Sequence, residues 1–400
     1  MSVAERDPAT QKAGGIKSRY RIIDADQHVD PPYTFWKDYL PAHLRDLAPT
    51  IEEGDEFDWV VFEGKKRPVN LLTSLAGKDS LDFKVKGKLA DLRDATSTAA
   101  RIKDMDDDGI DGTILFGGGP LGTRNSELYI ESFRAYNRWL ADFCAGAPKR
   151  LKGVAYLPMR NVQESIELLR DAVKLGFGTI NVPAYPQADD GISTSAKVKN
   201  VNEAQVAALT GDPNSTRSYS HPEFEPFWAE VVEHDVTVTF HLGGRITRFG
   251  ENEHFLTDHV MSKVAMAEPV AMAIYGGLFD RFPSMRWGII ESGVGWMAWM
   301  AEYMGHSWGK HRHWVGNECK QPPAFYMDQN IYGSFLRDRL GILNRNHPGG
   351  KNIMWSSDFP HSETTYPNSL RFIETDFEGI PEEDVREIVG GRAAKLFHFD

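Results

Sequence analysis

A carboxylate and an imidazole stand two residues apart in Asp24-Ala25-Asp26-Gln27-His28, at the end of the apolar run Tyr20-Arg21-Ile22-Ile23. On a strand this spacing turns Asp26 and His28 to the same face. An oxygen and an imidazole nitrogen side by side are ligands for a divalent metal. Asp30-Pro31-Pro32 then ends the run, because proline has no N–H with which to continue a ladder. Residues of the same kind recur where other apolar runs stop. His241 closes Val236-Thr237-Val238-Thr239-Phe240, Glu291 closes Trp287-Gly288-Ile289-Ile290, and Asp358 closes Asn352-Ile353-Met354-Trp355-Ser356-Ser357, with His361 three residues beyond. His306 is a further ligand candidate, on a Trp-rich stretch that also carries His311 and His313.

The elements that would bring these residues together are short apolar runs separated by helical segments. Besides the four runs above, the series contains Gly112-Thr113-Ile114-Leu115-Phe116, Gly153-Val154-Ala155-Tyr156-Leu157, Thr179-Ile180-Asn181-Val182-Pro183 and a weaker run, Asn330-Ile331-Tyr332-Gly333-Ser334-Phe335. Residues 126–144 and 162–175 carry apolar side chains at helical spacing, with Gly176 placed to end the second, and 381–397 reads as a helix opening on Pro381. Alternation of strand and helix implies a parallel sheet, and eight such units close most naturally into a (β/α)8 barrel. A doubly wound open sheet is the competitor, but no glycine-rich phosphate loop follows any of the runs. In a barrel, the C-terminal ends of different strands converge, so Asp26, His28, His241, Glu291 and Asp358 would meet.

Three stretches exceed ordinary connections: 31–100, read as an inserted cap, 184–225 and 245–268. Long loops at that end of a barrel are where substrate choice is made. Residues 18–400 thus read as one domain and residues 1–17 as a disordered arm.

Bulk properties narrow the function class. The chain has 400 residues, 41% hydrophobic and 26% charged, as expected of a globular protein with a sizeable core. No run approaches the roughly 18 apolar residues of a membrane span, and the polar first residues lack a signal core. Two cysteines, Cys144 and Cys319, exclude a disulfide framework and fit a reducing cytoplasm. A net charge of −12 argues against nucleic acid or an anionic membrane as partner. A small-molecule substrate is expected, and the aromatic region of Trp308, Trp314 and Phe325 offers a homodimer contact.

The chain resembles the amidohydrolase superfamily, in the branch of aminocarboxymuconate-semialdehyde decarboxylase and related aromatic-acid decarboxylases. The resemblance runs from about Asp24 to Phe399. It rests on the aspartate-x-histidine pair, the segment from Arg101 to Asp111, Tyr136-Asn137-Arg138-Trp139-Leu140, the histidine ending the fifth run, and Ser357-Asp358-Phe359-Pro360-His361. It implies that Asp26, His28, His241 and Asp358 are metal ligands. It also exposes two departures. Glu291 stands where decarboxylases of the branch carry a histidine that acts at the substrate. Asn181 stands where dinuclear members have a bridging lysine.

Three chemistries follow. The ligand set favours a hydrolase, in which the metal, zinc or manganese, lowers the pKa of a bound water. Asp358 or His361 would accept its proton and Glu291 would pass it to the leaving group. Trp296, Trp355 and Phe359 would wall an apolar or aromatic acid derivative, with Asn181 also lining the site. The alternatives are non-oxidative decarboxylation of an aromatic or enoic acid, with His361 or His306 replacing the absent histidine, and a non-haem di-iron monooxygenase, in which Glu291 and a further histidine complete a site for two irons.

Overall fold

The computed structural model describes residues 19–93, 97–186, 218–241 and 254–399. The arm at 1–17 and large parts of the loops at 184–225 and 245–268 lie outside the described residues. Strand β1 (Ile23–His28) is buried along its whole length. After Asp30-Pro31-Pro32 the chain builds an antiparallel meander of β2 (Thr50–Glu52), β3 (Trp59–Phe62), β4 (Lys65–Asn70) and β5 (Lys86–Gly87). Glu63 and Gly64, with φ of 49° and 73°, form the two-residue turn between β3 and β4. Positive φ at both positions matches the twist of a tight hairpin. Val60 and Val69 pack with Leu71 and Leu75 into a small core of this insertion. It touches the main body where the amide of Ala76 donates to the carbonyl of Pro360 at 3.1 Å and where Arg93 pairs with Asp104.

The remaining runs form parallel strands: β6 (Gly112–Phe116), β7 (Leu151–Gly153), β8 (Ala155–Tyr156), β9 (Thr179–Asn181), β10 (Thr237–His241), β11 (Trp287–Ile290), β12 (Ile331–Phe335) and β13 (Ile353–Trp355). One sheet has the order β1-β6-β7 and another β13-β12-β11-β10-β9-β8. The expected third run is therefore two short strands on either side of Val154, the first paired with β6 and the second with β9. Beyond β13, the amide of Asp358 donates to the carbonyl of Asp26 at 3.0 Å, and that of His28 to the carbonyl of Phe359 at 2.6 Å. The last run thereby meets the first. The weak run at 330–335 is a true strand, buried except at Tyr332. The protein is thus α/β, built on parallel sheets.

The expected helices appear with small shifts. Ser126–Ala145 is capped by the Asn125 side chain, and Val162–Lys174 by that of Asn161. Gly176, at φ 91°, follows the second helix in the left-handed region expected of a terminating glycine. The expected helix at 381–397 is interrupted by a wider π-helical turn at Glu387–Gly391, between Glu382–Arg386 and Arg392–Leu396. A Cβ on Gly390 would lie 2.0 Å from the carbonyl oxygen of Arg21, so this turn approaches the chain entering β1 as only glycine permits. No helix among the described residues is long and apolar enough to cross a membrane.

Candidate metal centre

Each chemistry-bearing residue sits at or just past the C-terminal end of a parallel strand: Asp26 and His28 on β1, His241 as the last residue of β10, Glu291 directly after β11, and Asp358 three residues after β13. His28 Nε2 lies 3.3 Å from Asp26 Oδ1 and 3.1 Å from Asp358 Oδ1. His241 Nε2 lies 3.2 Å from Asp26 Oδ1 and 3.5 Å from Glu291 Oε2. His361 Nδ1 is 2.9 Å from Asp358 Oδ1, and its ring stacks on His28 with centroids 3.7 Å apart. Two groups of four residues, Asp26/His28/His241/Glu291 and His28/Glu291/Asp358/His361, each bring four ligand atoms within 4.8 Å of one another.

The residues fit a divalent cation. Asp26 Oδ2, His28 Nε2, Glu291 Oε2 and Asp358 Oδ1 are buried and make no hydrogen bond of acceptable geometry among the described residues. Buried polar atoms without a hydrogen bond cost about 1–3 kcal/mol each, and their gathering among two overlapping groups of ligand atoms is explained by a metal ion. Hard oxygens with imidazole nitrogens suit zinc or manganese. The backbone supports the same reading, since Glu291 and Asp358 both adopt φ of 55°. Non-glycine residues there are strained, and such strain gathers at functional sites. Electrostatics bind the cluster further. Burial raises the proton affinity of the Asp26 carboxyl, but the adjacent His241 and His28 outweigh it and hold its pKa below the usual range. Burial likewise disfavours charge on His28, and the Asp26 and Asp358 carboxylates overcome this and push its pKa well up.

Behind β1, the buried Arg101 donates through Nη1 to Gln27 Oε1 at 3.1 Å and through Nη2 to the carbonyl of His28. The outward neighbour of Asp26 and His28 is thereby fixed, and with it the direction of the two ligands. On the open side lies a group the sequence reading missed. Lys263, at the end of helix Phe255–Ser262, places Nζ 2.9 Å from Glu291 Oε1 and 3.2 Å from Glu363 Oε2, and His259 Nε2 is 2.9 Å from the same Glu363 oxygen. The only signal for it was the four-residue spacing of His259 and Lys263 inside a long loop.

Other candidates fall elsewhere. His306 is exposed on helix Gly295–His311, its ring 6.1 Å from that of Tyr303, and is in neither group of converging ligands. The helical repeat puts it with the exposed Trp299 and Tyr303 on the outer face. Trp355 is buried in the main core. The Phe359 ring lies under the Arg101 guanidinium, 4.7 Å from its centroid, and edge-on to Tyr366. Trp296 is half-buried and donates to the carbonyl of Ser292 at 3.0 Å. Asn181, also buried, accepts from Thr239 Oγ1 at 3.2 Å. Trp308 is half-buried with its ring beneath Arg312, while Trp314 and Phe325 are exposed.

The amidohydrolase family model matches residues 23–399. The chain is 28% identical over 339 residues to the gamma-resorcylate decarboxylase of Rhodococcus jostii (strain RHA1), covering 79% of this chain and 90% of that one. Among solved structures, an amidohydrolase from Mycobacterium avium subsp. paratuberculosis K-10 is similar with a TM-score of 0.70 at 20% identity, over 94% of this chain and 99% of that one. A 5-carboxyvanillate decarboxylase from Novosphingobium aromaticivorans, complexed with manganese and a nitrobenzoic acid, gives 0.64 at 17% identity, over 97% and 98%. A family match that runs through every strand carrying a candidate ligand leaves one assignment: the chain belongs to the amidohydrolase family.

Proposed function

We propose that the protein is a metal-dependent, non-oxidative decarboxylase of a hydroxyaryl carboxylic acid, working at the mouth of a closed (β/α)8 barrel. The observation that carries this reading is the convergence of Asp26, His28, His241, Glu291 and Asp358 from four strand ends in two overlapping groups that share His28 and Glu291, with atoms of Asp26, His28, Glu291 and Asp358 buried and without a hydrogen bond. The activity of the curated relative moves the weight from hydrolysis, which the ligand set alone favours, to decarboxylation. Closure of the barrel is supported by the split strand shared between the two sheets and by the bridge between Gln27 and Phe359.

The four residues would hold one divalent cation, with manganese supported by the structural relative. Bound there, the cation supplies a Lewis acid that draws electron density from substrate oxygens. The aryl–carboxylate C–C bond breaks, its electron pair stays on the ring carbon and CO2 departs, so a proton must reach that carbon. His361 is the proposed donor. Its Nδ1 lies 2.9 Å from Asp358 Oδ1 and its ring stacks on His28, and Nε2 is the nitrogen proposed to deliver the proton. Glu291 offers Oε2 towards the cation in the place of the branch's histidine.

The manganese-loaded protein, mixed with 2,6-dihydroxybenzoate and related ortho-hydroxybenzoates, should release one CO2 per arene formed. Chelator-stripped protein and Asp358→Asn, which removes a ligand while keeping the side-chain shape, should release none. Cleavage of aryl amides or esters, without CO2 from any hydroxybenzoate, would replace this reading with hydrolysis.

A further inference from the structure

Three carboxylates face the candidate metal centre: Asp26, Glu291 and Asp358. One divalent cation leaves one of their negative charges unbalanced. A further set of ligand atoms adjoins the two groups of four, because His259, Glu291 and Glu363 also bring a nitrogen and two oxygens within 4.8 Å of one another. Glu291 is common to all three, with Oε2 turned to His241 and Oε1 turned the other way. A carboxylate shared between two clusters is how a bridged pair of metal ions is held. The second position, however, is already filled by a cation of the chain itself. The Lys263 ammonium lies 2.9 Å from Glu291 Oε1 and 3.2 Å from Glu363 Oε2.

We infer that Lys263 is a built-in cation of this centre: its ammonium occupies the place of a metal ion between Glu291, Glu363 and His259, and so closes that position to a divalent ion. The inference rests on the reading of Asp26, His28, His241 and Asp358 as ligands of a divalent cation. It explains why a helix end from the loop after β10 reaches across to the ends of β11 and β13. A divalent ion could enter the position between Glu291, Glu363 and His259 only by displacing Lys263. The ammonium also acts as a positioning group. It holds one Glu291 oxygen away from the metal, so that a single oxygen is presented inward from a backbone already strained at φ 55°. A carboxylate bridging through its two oxygens would need both free for metal.

The test is manganese stoichiometry, read by equilibrium dialysis with elemental mass spectrometry and by the electron paramagnetic resonance of the bound ion. The wild type should bind one manganese per chain with the spectrum of an isolated ion. Lys263→Ala and Lys263→Gln should bind two, with a spin-coupled spectrum. Lys263→Arg, which keeps a cation, and the double variant Lys263→Ala/His259→Ala should return to one. Circular dichroism establishes that each variant is folded. Two manganese in the wild type, or one in both folded neutral variants, would overturn the role of Lys263 while leaving the metal reading intact. No manganese in the wild type would overturn the metal reading and this inference together.

Discussion

Arg101→Met separates stability from metal binding in a way the geometry makes quantitative. Arg101 is 0% exposed, and burial brings its pKa down to about 10, so it remains cationic at neutral pH. Its fork holds the Gln27 side chain and the His28 carbonyl, and its plane covers the Phe359 ring. A hydrogen bond from a charged donor contributes about 1.5–3 kcal/mol, and a desolvated cation–π contact about 2 kcal/mol. Relief of the desolvation of a buried guanidinium offsets part of that loss, which is why replacing buried charge by an apolar side chain sometimes costs little. Here the carbonyl and the Gln27 amide oxygen would be left without their donor, and the net loss should be about 3 kcal/mol. A second effect follows at the metal. The His28 backbone would no longer be clamped, and loss of such support to a ligand lowers metal affinity about 10–100-fold. Urea unfolding of the metal-free protein and manganese titration of the folded protein measure the two effects separately. A loss below about 1 kcal/mol together with unchanged manganese affinity would refute the assignment of Arg101 as the brace behind β1.

Further consequences are as direct. His361→Asn should lower the rate of CO2 release by about 10²–10⁴-fold, the usual contribution of a positioned acid, while manganese binding persists through the four strand-end ligands. Isothermal titration beside the rate assay distinguishes a proton donor from an essential ligand. Gly117→Ala places a Cβ 1.7 Å from Tyr136 Oη and 2.7 Å from the carbonyl oxygen of Val29, so the loop leaving β6 must shift. Overpacking of this kind costs about 1–3 kcal/mol, seen as a lower midpoint in urea. Since neighbouring carboxylates hold the His28 pKa well above its ordinary value, the metal-free protein carries a proton there at neutral pH. Manganese must displace it, so affinity should fall about tenfold for each unit of acidification. An affinity flat from about pH 8 to about pH 6 would show that no proton leaves His28 when manganese binds.

What the sequence disclosed of this site follows from chain geometry. The period of two on a strand is enough to put Asp26 and His28 on one face, and a strand's end is marked locally by the turn residues that follow it. His241, Glu291 and Asp358 were therefore legible one at a time, and the strand–helix alternation supplied the rule that gathers such ends together. His306 stayed open between a surface residue and a further ligand because a helix of mixed aromatic and polar residues gives no clear register. Its position relative to Trp299 and Tyr303 decides the face, and both prove exposed. Trp355 and Phe359 were read as an apolar wall from nearness in sequence to Asp358, yet the strand ends at Trp355 and Asp358 turns the chain at φ 55°, so that nearness does not put the side chains on one face. Trp355 enters the main core and Phe359 meets Arg101. Lys263 and Glu363 were out of reach for another reason. Each is an ordinary charged residue in a connection, and only the fold brings them to the two sides of one ion pair. Arg101 was quoted as part of a family segment, but no local pattern discloses that its fork ends on the His28 carbonyl.

The measurement that bears most directly on the account is anomalous diffraction at the manganese edge from crystals grown with the metal. The account requires one strong peak within coordinating distance of Asp26, His28, His241 and Asp358, with Lys263 still seated between Glu291 and Glu363. A site bare of anomalous signal, or a peak bound away from these four residues, would contradict it.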